Sequence, residues 1–226
     1  MNMLLDNYEG TSSGLDKIAL KQLYDILENK GNDINILEFG SGQSTKFIKD
    51  YAIKTNKNIS VDSYDHDPKF SYKHEKNDNI INLKIKPLIS CSEEHYNEQI
   101  ENKTLNKEYF SLHKSLPYNH PKFWRQRNCI YDIDFDDLKP NYDIVIIDGP
   151  NGNGRCLSFL FFKDRVKKDS IIFMDDFNAK DGSFEYNYVE NLKNIITVEE
   201  IFKHTNENAV PRWWEEGGNF IIFKVK

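Results

Sequence analysis

The sequence predicts an α/β fold: a doubly wound, mostly parallel sheet, with its last strand antiparallel and a polar insertion set into it. Three observations carry this. Short Val/Ile-rich runs alternate with stretches of helical periodicity, the pattern of parallel strands covered by helices on both faces. The run Tyr142 to Asp148 is apolar without alternation, as a strand buried on both sides must be. The last two strand-like runs, about Ile195 to Phe202 and Asn219 to Val225, have no helix between them and so read as a hairpin.

The elements follow in order. Ser12 or Ser13 can cap a helix over about Gly14 to Asn29, where Leu15, Ile18, Ala19, Leu23, Ile26 and Leu27 recur at helical spacing and Gly31 ends the run. The first strand is about Ile34 to Phe39. A helix beginning near Ser44 follows, with Phe47, Ile48 and Tyr51 inward over Lys46 to Thr55. Ile59 to Tyr64 is the second strand and ends at Asp65-His66-Asp67-Pro68; a weaker third lies near Ile80 to Leu88. Residues 90–130 are polar, aromatic and histidine-bearing, too long for a simple connection, and read as an insertion or lid within a single domain of residues 1–226. After the Tyr142 strand come the loop Gly149 to Gly154, a helix over about Cys156 to Val166, a buried strand Ser170 to Met174 ending at Asp175-Asp176, and a helix near Tyr186 to Leu192.

Bulk properties narrow the function. With 226 residues the chain can bury a core without disulfides or structural metal. A net charge of −6 gives no electrostatic case for nucleic acid. Cys91, Cys129 and Cys156 form no Cys-x-x-Cys pair, which argues against a cysteine zinc site and for a reducing compartment. No signal-peptide core or membrane-length apolar run is present, so the expected location is cytoplasmic.

In open α/β sheets the ligand sits beyond the carboxyl ends of the strands. The stretch Ile34 to Thr45 delivers Glu38, Gly40, Ser41 and Gly42 to that place, followed by Ser44 and Thr45 at a helix start. Glycines there allow positive φ and close approach to a nucleotide-like ligand, while the helix N–H groups point at it. The other strand ends supply Asp65 and Asp67, Asp148, and Asp175 with Asp176, an acidic ring around one site. Asp65 can accept both hydroxyls of a ribose, with Asp67 as the rival position.

Glu38-Phe39-Gly40-Ser41-Gly42 with Ser44-Thr45, then Asp65-His66-Asp67-Pro68, Asp148-Gly149-Pro150 and the closing strand pair resembles a class I S-adenosylmethionine-dependent methyltransferase, in particular the small-molecule and sugar O-methyltransferases. The resemblance spans nearly all of the chain outside 90–130. It implies a Rossmann-like sheet of seven strands with the last antiparallel, Glu38 to Gly42 beneath the methionine part of S-adenosylmethionine, and Asp65 on its ribose. Asp148, Asp175 and Asp176 then suit Mg²⁺ or another divalent cation that would bind two acceptor hydroxyls; the alternative has Asp148 meeting substrate alone and the other two capping the next segment. Where such metal-dependent enzymes commonly carry a histidine, this chain has Asn151. The proton acceptor is therefore metal-bound hydroxide, Asp148, or an insertion histidine: His95, His113 or His120.

The segment His120 to Arg127 is locally cationic with aromatics and could clamp an anionic acceptor, with Arg155 joining it, or form a surface helix packed through Phe123 and Trp124. Tyr8 to Ser13 can fold over the cofactor, and Trp213 and Trp214 can wall the acceptor site or serve as core or dimer contacts. The function read from the sequence is O-methylation of a small polar acceptor, a sugar or glycan or polysaccharide precursor. Its rivals are a nicotinamide-dependent oxidoreductase and a catalytically inactive cofactor-binding interaction module. Homo-oligomerisation is left open.

Overall fold

The computed structural model describes residues 2–8, 15–69, 71–73, 78–114, 126–181, 184–205 and 219–226. In chain order the elements are α1 (Asn2–Leu5), α2 (Lys17–Asn29), β1 (Asp33–Phe39), α3 (Gln43–Thr55), β2 (Asn58–Asp65), β3 (Ile81–Ile85), β4 (Leu88–Ser90), α4 (Glu93–Asn102), β5 (Ser111–Leu112), β6 (Cys129–Tyr131), β7 (Tyr142–Ile147), α5 (Gly154–Phe162), β8 (Val166–Asp175), β9 (Lys180–Asp181), β10 (Phe184–Glu185), α6 (Tyr188–Ile195), β11 (Val198–His204) and β12 (Phe220–Val225).

Seven strands form one sheet in the order β11-β12-β8-β7-β1-β2-β3. Neighbours are parallel from β8 to β3, while β12 runs antiparallel to both β8 and β11. Successive side chains of β7 enter opposite layers: Ile144 and Ile146 join Leu20, Leu23 and Phe47 of α2 and α3, and Val145 and Ile147 join Leu157, Phe159 and Leu192 of α5 and α6. That is why the run lacks alternation in sequence. The chain leaves β1 toward β2 on one side and reaches β7 on the other, so the strand order reverses between them, and the crevice at that reversal is where a ligand site belongs.

Several boundaries differ from the sequence expectation for local reasons. The cap of α2 is Asp16, whose carboxylate accepts the Ala19 N–H at 2.7 Å; Ser12 and Ser13 lie outside the described residues. The expected third strand splits. Pro87 has no N–H for a ladder, so β3 ends at Ile85 and Leu88 opens β4, which pairs with β5 and β6 in a separate antiparallel sheet. The helix expected to reach Val166 stops at Phe162, because Val166 already pairs with Tyr142. The exposed Lys167-Lys168-Asp169 that follows belongs to β8 and hides it in the sequence. Helix α6 continues to Ile195, so the next strand opens at Val198.

The 90–130 insertion is built from α4, β5 and β6, with residues 115–125 outside the described part. Its backbone lies hard against the loop after β7. A Cβ on Gly152 would fall 1.6 Å from the Gln126 carbonyl oxygen, and one on Gly154 1.5 Å from that of Cys129. Those two glycines are thus required by the insertion passing over them.

Candidate functional site

Glu38 closes β1 and is fully buried. Its carboxylate accepts from Ser44 Oγ, Thr45 Oγ1 and Ser63 Oγ, each at 2.6 Å. Burial raises its pKa, while these three donors pull the other way. One acid therefore ties the end of β1 to β2 and to the first turn of α3. Thr45 Oγ1 in turn accepts the Gly42 N–H at 2.9 Å. Of the residues expected at the cofactor, Glu38, Ser44 and Thr45 hold the turn from beneath, and Gly40, Ser41 and Gly42 are the turn itself.

The two glycines do different work. Gly40 has φ +91°, and a Cβ there would lie 2.9 Å from the Asp148 carbonyl carbon and 3.0 Å from Gly149 N. It permits the β1 and β7 turns to touch. Gly42, expected from its type to need positive φ, is extended at φ 170°. A Cβ on it would meet nothing within 4 Å, so the turn faces open space.

Asp65, at the end of β2, accepts from Ser41 N (3.0 Å) and Ser41 Oγ (2.8 Å) on one oxygen, and from His66 N (2.7 Å) and Asp67 N (3.2 Å) on the other. It is thereby fastened to the glycine turn. Asp67 uses Oδ1 to accept the Lys69 N–H at 2.8 Å.

Asp148, Asp175 and Asp176 do come together: each offers an oxygen such that all lie within 4.8 Å of one another. Asp148 is 22 % exposed and Asp176 46 %, while Asp175 is buried. Burial, opposed by Arg155 and reinforced by Asp176, pushes the Asp148 carboxyl up to about 7. Burial, reinforced by Asp176 and Asp148 and opposed by Arg155, raises Asp175 well above the usual carboxylate range.

Arg155, read from the sequence as a possible anion clamp, is instead 2 % exposed and faces inward. Its guanidinium donates to the carbonyls of Pro150 (3.2 Å), Asp175 (2.7 Å) and Asp148 (3.0 Å), and lies 3.7 and 3.6 Å from the Asp148 and Asp176 carboxylates. It stitches the ends of β7 and β8 and is the built-in counter-charge of the acid cluster. Its position after a glycine-rich loop was visible in sequence; its place in the first turn of α5 and its inward direction were not.

Of the histidines, His95 sits on α4 and stacks on Tyr109 with ring centroids 3.9 Å apart. His113 holds Nδ1 against Ser90 Oγ (3.2 Å) and Cys129 Sγ (3.3 Å), and burial together with nearby His66 lowers its pKa. His120 lies outside the described residues, as do Glu9 to Ser13, residues 120–125 of the cationic segment, Trp213 and Trp214. Cys91, Cys129 and Cys156 are free thiols raised by burial to about 11, 12 and 11.

No protein-family model and no curated protein sequence matches the chain. Solved structures do. A precorrin-6y C5,15-methyltransferase from Geobacter metallireducens superposes with a TM-score of 0.52 over 98 % of this chain and 95 % of its own, at 14 % identity. The chain has the class I methyltransferase fold. Two others with this fold superpose less well. The TomG O-methyltransferase of Streptomyces achromogenes, in complex with SAM, gives 0.46 over 100 % of this chain and 91 % of its own at 10 % identity. An O-methyltransferase from Bacillus cereus in complex with SAH gives 0.43 over 91 % and 78 % at 14 % identity. No helix among the described residues is long and apolar enough to cross a membrane.

Proposed function

We propose that the chain is an S-adenosylmethionine-dependent O-methyltransferase acting on a small polar acceptor, a sugar or glycan precursor, with a divalent cation such as Mg²⁺ at Asp148, Asp175 and Asp176. The observation that carries the reading is the Gly40–Gly42 turn: it stands at the strand-order reversal, is pinned from below by Glu38, and faces open space beside Asp148.

The donor brings a methyl group already activated on sulfonium, so the protein has to position and desolvate rather than form a covalent intermediate. The turn and the first N–H groups of α3 receive its polar end. Both Asp65 oxygens are occupied, whereas Asp67 keeps one oxygen without a partner among the described residues; Asp67 therefore meets the ribose and Asp65 fixes the turn beside it. Asp148 stands at the β1–β7 contact, partly open to solvent, and takes the acceptor hydroxyl's proton. The acid cluster fits a hard cation by donor type and spacing, with Arg155 supplying only part of the charge. A cation there would lower the pKa of bound acceptor hydroxyls.

A thermal-shift panel with S-adenosylhomocysteine, NADH and MgCl₂ tests this. At a hundredfold excess over Kd S-adenosylhomocysteine should add about 2.7 kcal/mol, or roughly 5–10 °C for a chain of this size. A shift with NADH alone contradicts the reading in favour of an oxidoreductase.

A further inference from the structure

Between the insertion and the β10–α6 segment lies a cavity separate from the site above. Its volume is about 320 Å³, at the small end of the range of ligand pockets. Tyr96, Asn97 and Glu101 of α4 line one wall, Glu185 and Tyr186 line the other, and Asn153 lies between them. Neither the glycine turn nor the acid cluster contributes a lining residue. The floor is fixed in advance. The Asn153 side chain exchanges two 2.7 Å hydrogen bonds with Asn128, and its carbonyl accepts from Tyr96 Oη at 3.3 Å.

The chemistry of the walls narrows the occupant. The charged residues lining the cavity are all glutamates, and Glu101 and Glu185 are exposed with no ion-pair partner among the described residues. A concave surface of one sign draws in the opposite charge. A bare metal ion suits it poorly, since among the described residues only Asp148, Asp175 and Asp176 bring three acids close enough to share one. The Asn97 amide offers both a donor and an acceptor for hydroxyls. The Tyr96 and Tyr186 rings add apolar surface and a place for an ammonium to rest.

We infer that this cavity binds a polyhydroxylated amine, an amino sugar being the simplest, with its ammonium groups on Glu101 and Glu185, its hydroxyls on Asn97 and its rings against the two tyrosines. Such a ligand bridges α4 to the β10–α6 segment and so fastens the insertion to the body of the fold. The inference stands apart from the methyltransferase reading, which concerns the other crevice.

Calorimetric titration with the glucosamine disaccharide of chitosan, its amines protonated, and with its N-acetylated form tests this. The expected result is binding of the charged disaccharide by the wild type, about tenfold weaker binding of the acetylated one, and about a tenfold loss in the double variant Glu101→Gln/Glu185→Gln. No binding of the charged disaccharide, equal affinity for the two disaccharides, or equal affinity of wild type and double variant overturns the inference. Both glutamates are exposed, so the variant should melt with the wild type. If it melts earlier, Asn97→Ala takes its place, with about a fivefold loss expected and an unchanged affinity overturning the inference. S-adenosylhomocysteine titrated into the same samples should bind wild type and variants equally, and its failure to bind any of them contradicts the methyltransferase reading alone.

Discussion

Replacing Glu38 by Ala removes the acceptor of three hydroxyls at once. Ser44, Thr45 and Ser63 are all buried, and each now donates to this carboxylate at 2.6 Å. Leaving a buried polar group unpaired costs about 1–3 kcal/mol. With some hydroxyls finding new acceptors, the loss comes to about 3–6 kcal/mol, which lowers the melting temperature by roughly 6–24 °C in a chain of this size. Glu38→Gln behaves differently. The amide oxygen still accepts, the amide nitrogen donates to a hydroxyl, and the desolvation cost of the buried charge disappears, so its loss is about 1–2 kcal/mol or less. Urea and thermal unfolding of both variants, without ligand, provide the assay. The reasoning is refuted if E38A loses under about 1 kcal/mol, or if E38Q is as damaged as E38A, since either would mean that the three bonds do not hold the turn.

Other variants probe the remaining parts. Gly40→Ala, which must take φ +91° with its methyl 2.9 Å from the Asp148 backbone, should cost several kcal/mol in unfolding experiments, about 2 or more. Gly42→Ala has room for its methyl in the ligand-free protein, so melting should change little while S-adenosylhomocysteine affinity falls tenfold or more by titration, about the effect of one misplaced methyl group. Arg155→Met strips the acid cluster of its buried guanidinium and should destabilise by about 3–5 kcal/mol; added Mg²⁺ should recover part of that in a thermal melt, and Asp175→Asn should abolish the recovery. His113 has a lowered folded pKa, so the unfolded chain binds its proton first. Its contribution is therefore complete above the unfolded value of about 6.5 and is lost as the pH falls through the folded pKa. Urea midpoints should drop between pH 7 and 5, and His113→Asn should flatten that slope.

The sheet could be read because its strands are buried on both faces, and continuous runs such as Ile144–Ile147 have few other uses. Asp148 and Asp175 could be read for the same reason: each is the first charge after an apolar run. What could not be read was direction. Arg155 looks in sequence like a solvent-facing cation beside a loop, but a packed helix turns it beneath three carboxylates. Gly42 looks like a strained glycine, but the residue with positive φ is Gly40, which the approach of Asp148 demands. The inner structure of the insertion carried no signal at all, because it is a three-stranded sheet whose strands are two and three residues long and come from distant parts of the chain. Such short pairings lack periodicity, and only tertiary packing against α5 defines them.

The crystal structure of the complex with S-adenosylhomocysteine tests the central claim most directly. The account predicts the adenosyl group against the Gly40–Gly42 turn, its ribose at Asp67 and its sulfur beside Asp148. Electron density for the ligand in any other crevice, with that turn left bare, would contradict it.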